Sequence, residues 1–130
     1  MTGSILVVED DATLLRSIVR NLAVRAFRTR SADTVAAALE ALEEECPALL
    51  LLDIELPDGS GWEVLRSLRL GKCSDTTVIV ISALRPNSRL AKDLQCTAVL
   101  EKPFPMETLL RLVVESLEHA KGRASHEAVT

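Results

Sequence analysis

The sequence predicts an α/β protein in which a doubly wound, parallel five-stranded sheet carries helices on both faces. Short apolar runs alternate along the chain with longer segments whose apolar residues recur at helical spacing. This alternation occurs five times in succession, and such an order of strands and helices implies right-handed crossovers between parallel strands. Neither an internal repeat nor a low-complexity segment interrupts the pattern.

The sequence patterns that predict the five strands differ in strength. Residues 5–8, 48–52 and 78–81 are continuous apolar runs, which is typical of strands buried on both faces of a sheet. A weaker strand at about 27–30 alternates with arginine, which indicates a position near an edge. Residues 98–100 form a short fifth strand.

Five helices are predicted between and after these strands. Ser31 or Asp33 can cap the second helix, and Pro47 excludes its continuation. The fourth helix, over residues 86–94, is short and poorly patterned. We expect one domain over residues 4–120 and a polar tail or linker stump over residues 121–130. The inward-facing residues of the other helices are Leu14, Leu15, Ile18, Val19, Leu22, Val35, Leu39, Leu42, Trp62, Leu65, Leu68, Met106, Leu109, Leu110, Val113 and Leu117.

The composition excludes several classes of function. The net charge of −4 argues against nucleic acid as a direct partner, because phosphate backbones need a basic surface. Only three aromatic residues are present, so a platform for stacking bases is not expected. The longest apolar run, residues 48–52, is too short to span a membrane.

The cysteines predict a cytoplasmic protein. Cys46, Cys73 and Cys96 are odd in number, widely spaced and without a C-x-x-C pair, so the sequence suggests neither a disulfide framework nor a zinc site. We expect buried or half-buried thiols. No charged and apolar leader opens the sequence, which agrees with this location.

Polar side chains stand at the ends of the predicted strands, where ligands bind in a doubly wound sheet. Glu9 and Asp10 end the first strand, Asp53 the third and Ser82 the fourth, and the fifth leads to Lys102. Clustered carboxylates repel one another without a cation, and a hard ion such as Mg²⁺ suits oxygen ligands. A carboxylate can also attack a phosphoryl donor to give an acyl phosphate, whose charge an ammonium and a hydroxyl would neutralise.

Each of these residues has a simpler structural interpretation when it is taken alone. An acidic pair after a strand is often a helix cap, and a lone aspartate such as Asp53 is often a turn residue. Ser82 alone would be a loop hydroxyl, and Lys102 alone a solvated charge. Their conjunction at one edge of one sheet favours a site.

Four motifs at these strand ends resemble the receiver domain of two-component response regulators. The resemblance runs from about residue 4 to residue 118. It implies a flavodoxin-like (βα)5 sandwich with strand order 2-1-3-4-5. The motifs are Ile5-Leu-Val-Val-Glu-Asp-Asp11, Leu52-Asp-Ile-Glu-Leu-Pro-Asp-Gly-Ser-Gly61, Val80-Ile-Ser-Ala83 and Glu101-Lys-Pro-Phe104.

The resemblance implies a phospho-acceptor switch that depends on Mg²⁺. Asp53 would accept a phosphoryl group from a sensor histidine kinase or a phosphotransfer protein. Mg²⁺ would be bound by Glu9, Asp10, Asp53 and the backbone carbonyl of Glu55. Such a domain is a switch and not a turnover enzyme, and it would signal to a downstream protein or output domain.

The resemblance also implies roles for the residues around the acceptor. Ser82 would be the switch hydroxyl, and Lys102 would contact the phosphoryl oxygens. The peptide bond between Lys102 and Pro103 would be cis. Asp11 fits a cap of the first helix, and Asp58 fits a charge in a loop.

The sequence departs from the family pattern at three positions. Glu9 replaces the commoner Asp and Ser82 the commoner Thr, and the family tolerates both changes. Val99 stands three residues before Lys102, where the family usually carries an aromatic ring that reports the state of the switch hydroxyl, so we expect an unusual signal readout. We expect a stand-alone receiver or the N-terminal part of a longer regulator, with a possible homodimer through the fourth helix, fifth strand and fifth helix.

Two alternative functions stay open on the sequence. The first is a receiver-like interaction module that is never phosphorylated, although the chain keeps every acidic and lysine position that phosphorylation needs. The second is a phosphatase with an aspartyl nucleophile, because Asp53-Ile-Glu55 is faintly similar to the D-x-D motif of haloacid-dehalogenase-type hydrolases. Those enzymes carry the nucleophile on the first strand and need a second Asp, and this sequence meets neither condition.

Overall fold

A parallel sheet of five strands forms the centre of the computed structural model, which describes residues 3–85 and 87–129, with side chains to residue 122. Its strands are β1 (Ile5–Val8), β2 (Thr29–Ala32), β3 (Leu49–Asp53), β6 (Thr77–Ser82) and β7 (Ala98–Glu101). They lie in the order β2-β1-β3-β6-β7. Since β6 and β7 are the fourth and fifth strands of this sheet, the predicted fold class and strand order are confirmed.

The helices follow the strands along the chain, as predicted. They are α1 (Ala12–Val24), α2 (Val35–Glu44), α3 (Gly61–Leu70), α4 (Ser88–Asp93) and α5 (Met106–Val129). A small antiparallel hairpin that the sequence does not predict, β4 (Glu55–Leu56) with β5 (Gly59–Ser60), lies between β3 and α3. Within residues 3–85 and 87–129, no helix is both long and apolar enough to cross a membrane.

Both faces of the sheet are covered by apolar side chains. Leu6 and Leu50 point to one face and pack with residues of α2 and α3, such as Leu65. The side chain of Ile5 points to the other face of the sheet and packs with residues of α1 and α5, such as Ile18. The continuous apolar runs at β1 and β3 are therefore explained by burial on two sides.

The second strand begins two residues later than predicted, at Thr29. After α1 ends, Ala26 adopts a left-handed conformation with φ of 65°, and the Phe27 amide still donates to the Leu22 carbonyl at 3.1 Å. Phe27 thus belongs to the turn, and its ring packs against the α1–α5 core. Pairing with β1 begins where the Ile5 amide donates to the Arg28 carbonyl at 2.9 Å.

Three helix ends also differ from the prediction. Thr34 caps α2, in place of Ser31 or Asp33, because β2 runs to Ala32 and the Thr34 hydroxyl accepts from the Ala37 amide at 3.0 Å. The fourth helix begins at Ser88, and position 86, where it was expected to start, lies outside the described residues. The last helix continues to Val129, through most of the expected polar tail. The domain boundary near residue 120 stays a prediction.

Cys46 and Cys73 form a disulfide, so the prediction that the cysteines suggest none is wrong. The two residues are 27 positions apart in sequence, but α2 and α3 pack side by side and both end at the same edge of the sheet. Their Cα atoms lie 5.3 Å apart, within the range that a disulfide requires. Cys96 is a free, half-buried thiol.

Arg69, near the end of α3, joins α3 to two neighbouring loops. Its guanidinium donates to the carbonyls of Ser74 and Thr76 before β6, each at 2.8 Å. It also donates to the carbonyls of Leu94 and Gln95 at the end of α4, at 2.8 and 2.9 Å. A planar group with five donors suits such a set of acceptors, which the single ammonium of a lysine could not reproduce.

Candidate functional site

Three carboxylates meet at the carboxyl edge of the sheet. Glu9 and Asp10 follow β1, and Asp53 ends the adjacent β3, whose Leu52 lies in register with Val8. One oxygen atom from each of the three carboxylates lies within 4.8 Å of the others. Glu9 and Asp53 are 0% and 1% exposed, whereas Asp10 is exposed to solvent. The sequence prediction placed these three residues together, and the structure brings them together.

Lys102 lies between the two buried carboxylates. Its Nζ is 2.8 Å from Glu9 Oε1 and 3.2 Å from Asp53 Oδ2. The Lys102 amide donates to the Ser82 carbonyl at 2.8 Å, which fixes the end of β7 beside β6. The peptide bond from Lys102 to Pro103 is cis, as the resemblance implies.

Burial changes the protonation of this cluster. Desolvation, together with the hydrogen bond and negative charge of Glu9, raises the pKa of Asp53 to about 7, although Lys102 acts to lower it. Burial lowers the pKa of Lys102, but the contacts with Glu9 and then Asp53 outweigh that effect and raise it overall. The single positive charge of Lys102 therefore neutralises only part of the negative charge of Glu9 and Asp53.

The donor set fits a hard divalent cation. Within the described residues, Glu9 Oε1 is buried and has no well-directed hydrogen bond, although the Lys102 ammonium is near. Glu9 Oε2 accepts from the Asp11 amide at 3.1 Å, which orients the carboxylate. Buried, under-neutralised carboxylate oxygens are the ligands that Mg²⁺ prefers. Asp11 itself caps α1, because its Oδ1 accepts from the amides of Thr13 and Leu14 at 3.0 and 3.2 Å.

Glu55 joins Ser82, at the end of β6, to the loop that follows Asp53. Glu55 Oε2 lies 2.8 Å from Ser82 Oγ, and Glu55 Oε1 accepts from the Ala83 amide at 2.8 Å. The Glu55 amide donates to Asp53 Oδ1 at 3.1 Å. The sequence predicted a role for the backbone carbonyl of Glu55 but not this contact of its carboxylate with Ser82, which depends on how the β4–β5 hairpin turns the side chain.

Asp58 is a helix cap, so its prediction as a loop charge is incomplete. Its two carboxylate oxygens accept from the amides of Val35 and Ala36, at 2.7 and 3.1 Å, at the N-terminus of α2. These hydrogen bonds lower the pKa of Asp58 below its usual value. These contacts thereby anchor the loop that follows Asp53 to the N-terminus of α2, which is remote in sequence.

Gly61 allows α3 to begin directly behind Asp53. A Cβ atom at this position would collide with the carbonyl oxygen of Asp53 and would lie 2.9 Å from Ile54 Cα. The Gly61 amide donates to the Ile54 carbonyl at 2.8 Å. Any other side chain would therefore displace the backbone that carries Asp53.

Val99 lies on β7, at the edge of the sheet, and is 40% exposed. Its side chain is short and aliphatic, so it offers a small apolar surface where the resemblance leads us to expect an aromatic ring. Trp62, on α3, is partly buried against the core between the sheet and the α2–α3 layer.

Comparisons with known proteins agree with this geometry. The family described as the response regulator receiver domain matches residues 5–114. The transcriptional regulatory protein KdpE of Mycobacterium tuberculosis is 38% identical over 108 residues, which cover 82% of this chain and 47% of KdpE. The response regulator MprA of the same species is 31% identical over an alignment that covers 99% of this chain and 56% of MprA. The chain spans about half the length of these curated relatives.

Solved receiver structures share the whole architecture. A CheY-like response regulator receiver domain from Methanospirillum hungatei JF-1 superposes with a TM-score of 0.89 at 26% identity, covering 95% of this chain and 99% of that one. The BeF3-activated receiver domain of DrrB superposes with a TM-score of 0.79 at 29% identity, covering 91% and 99% of the two chains. The sheet, the acidic edge and these matches together establish that the chain belongs to the receiver domain family of two-component response regulators.

Proposed function

We propose that this chain is a phospho-acceptor switch of a two-component phosphorelay and that Asp53 is the residue that becomes an aspartyl phosphate. The observation that carries the proposal is a buried Asp53 carboxylate at the end of β3 in direct contact with Lys102, in a chain of the receiver family. The donor would be a sensor histidine kinase or a phosphotransfer protein.

The proposed reaction is a phosphoryl transfer to a carboxylate. One oxygen of Asp53 attacks the phosphorus of a phosphohistidine, so that an O–P bond forms and the N–P bond breaks. The electron pair goes to the imidazole nitrogen, which takes a proton from solvent. Lys102 would keep its ammonium beside the transferred oxygens, and the Ser82 hydroxyl would donate a hydrogen bond to one of them.

Mg²⁺ is the proposed cofactor of this step. Glu9, Asp10, Asp53 and the backbone carbonyl of Glu55 would hold it, and the buried oxygen of Glu9 that lacks a directed hydrogen bond supports that assignment. When it is bound, the cation would neutralise charge on the carboxylates and on the transferred phosphoryl oxygens. It would also favour the ionised form of Asp53, whose pKa is about 7 without metal.

The proposed output is a population shift at the face formed by α4, β7 and α5. Phosphorylation adds charge and acceptor oxygens beside Ser82, which ends β6 next to β7. Since Val99 lacks an aromatic ring, the signal would pass through the backbone and helix surfaces of this face. A downstream protein, an output domain or a second copy of the chain would bind there; neither nucleic acid nor membrane is a proposed direct partner of this domain.

A cytoplasmic location stays a prediction. The Cys46–Cys73 disulfide is unusual for that compartment, because thiol reductants keep most cytosolic cysteines reduced. The pair would therefore be found partly or fully as thiols in a cytoplasmic protein.

The test is intact-protein mass after incubation with acetyl phosphate, with and without Mg²⁺, on the wild type and on Asp53→Asn. We expect a gain of one phosphoryl group that requires both Mg²⁺ and Asp53. No gain by a folded protein would instead favour the phosphorylation-independent interaction module. Turnover of a generic phosphate ester, without a stable adduct, would favour the phosphatase.

A further inference from the structure

We infer that the Glu55 carboxylate is an internal competitor of the phosphoryl group for the donors at the end of β6. The two hydrogen bonds from Ser82 Oγ and the Ala83 amide to Glu55 are here named the Glu55 clasp. This inference rests on the proposed function, because it assigns to the clasp the state in which Asp53 is not phosphorylated.

The clasp is an anion site that is already filled. A hydroxyl and a backbone N–H, on adjacent residues at the end of one strand, both lie 2.8 Å from oxygens of the same carboxylate. Hydrogen bonds to a charged acceptor are about twice as strong as those between neutral groups. The donors that best suit a phosphoryl oxygen on this side of the sheet are thus engaged by a glutamate.

Ser82 cannot serve two anions with one proton. Its Oγ lies 2.8 Å from both Glu55 Oε2 and the Leu84 carbonyl, and it accepts from the Leu84 amide at 3.2 Å. A donated hydrogen bond to a phosphoryl oxygen requires that the hydroxyl proton leave these acceptors. The Glu55 carboxylate would also repel the transferred group, because both carry negative charge.

The clasp is linked to the acceptor through the same residue. The backbone amide of Glu55 donates to Asp53 Oδ1 at 3.1 Å, while its side chain reaches across to β6. Glu55 therefore bridges the ends of β3 and β6 when Asp53 carries no phosphoryl group. Phosphorylation would displace the carboxylate into solvent, which is accessible because Glu55 is only half-buried.

The experiment measures the affinity for beryllofluoride, a phosphoryl mimic, at saturating Mg²⁺ in the wild type and in Glu55→Ala and Glu55→Gln. We expect the half-saturating concentration to fall about tenfold in Glu55→Ala, the ratio that corresponds to loss of about 1.4 kcal/mol of competing interaction. Glu55→Gln should show a smaller decrease, because it removes the charge but keeps an acceptor. Neither variant alters the backbone carbonyl that is proposed to bind the cation.

Glu43→Gln is the matched control, because it makes the same change in net charge at an exposed residue of α2 near the opposite edge of the sheet. Its half-saturating concentration should equal that of the wild type. The amide proton of Ala83, followed by NMR without any phosphodonor or mimic, gives a second readout. It should move upfield in Glu55→Ala, because its charged acceptor is gone.

The outcomes separate the two claims. An unshifted Ala83 amide, or equal beryllofluoride affinity in all the proteins, would overturn the Glu55 clasp while leaving the phospho-acceptor function in place. An equal gain in Glu43→Gln would overturn it as well, since net charge would then explain the effect. If no protein takes up beryllofluoride or a phosphoryl group, the proposed function fails, and the clasp loses its role with it.

Discussion

Replacement of Asp53 by Asn should stabilise the metal-free domain. The carboxylate of Asp53 is 1% exposed, and burial and Glu9 raise its pKa from 3.8 to about 7. A difference of about three pKa units corresponds to about 4 kcal/mol between the ionised and protonated forms. Relaxation around a buried charge reduces such costs. We therefore expect Asp53→Asn to raise the free energy of unfolding by about 2–4 kcal/mol at pH 8.

The pH dependence of this gain has a definite sign. Because the pKa of Asp53 is raised in the folded state, the native protein binds more protons than the unfolded chain between about pH 4 and 7. The stability of the wild type should therefore fall as the pH rises through this window. The advantage of Asp53→Asn should grow by about 2–3 kcal/mol between pH 5 and pH 8.

Urea unfolding followed by far-UV circular dichroism, in the presence of a metal chelator, measures both effects. Asp33→Asn is the control, because it removes one negative charge at an exposed position between β2 and α2. Mg²⁺ should stabilise the wild type more than Asp53→Asn, since binding to the native state adds to its stability. A metal-free Asp53→Asn protein that is less stable than the wild type, or a difference that does not vary with pH, would refute the reasoning.

Three further predictions concern stability away from the site. Reduction of the Cys46–Cys73 disulfide, or Cys46→Ser, should lower the free energy of unfolding by about 3–4 kcal/mol, because the unfolded chain then gains the entropy of an open loop between residues 27 positions apart. Urea unfolding curves with and without reductant measure this loss. The Arg28 guanidinium, bonded twice at 2.8 Å, lowers the pKa of Glu45 to about 2, with a further hydrogen bond from Ser4. This pair should contribute fully to the stability of the fold above about pH 4.5, and its contribution should disappear as the pH falls towards 2. Arg28→Met should therefore lower the Tm at pH 7 and leave it almost unchanged at pH 2, whereas an equal loss at both pH values would contradict the assignment. Ala26→Gly should raise the free energy of unfolding by about 0.5–1 kcal/mol, because an exposed residue at φ of 65° is strained unless it is glycine, and a decrease in urea denaturation would show that the strain is absent.

The buried strands and the acidic edge could be predicted from the sequence because their signals are local. The apolar run that ends at Asp53 identifies both a strand buried on two faces and the residue at its carboxyl end. Once the strands are parallel, their ends must share one edge, so Glu9 and Lys102 follow from strand order. The sequence prediction therefore needed no knowledge of side-chain packing.

The features that were missed depend on contacts between segments that are remote in sequence. The carboxylate of Glu55 reaches Ser82 because a hairpin with strands of two residues each turns the side chain towards β6, and no periodic pattern marks such short strands. Asp58 caps a helix that lies more than twenty residues earlier in the chain. The disulfide likewise forms only once α2 and α3 are packed together.

The hydrogen bonds that Arg69 donates fix the C-terminal end of the short helix α4. Its guanidinium holds the carbonyls of Leu94 and Gln95, at the end remote from the acidic edge. The opposite end follows Ser82 by only a few residues, through Leu84, which is 67% exposed. We therefore expect α4 to respond to a change at Ser82 by tilting about its C-terminal end and not by sliding along the sheet. If Asp53 is phosphorylated as proposed, this motion would be largest near Asp53 and smallest next to α3. A partner would then sense the angle of α4 without a rotamer change in any side chain of β7.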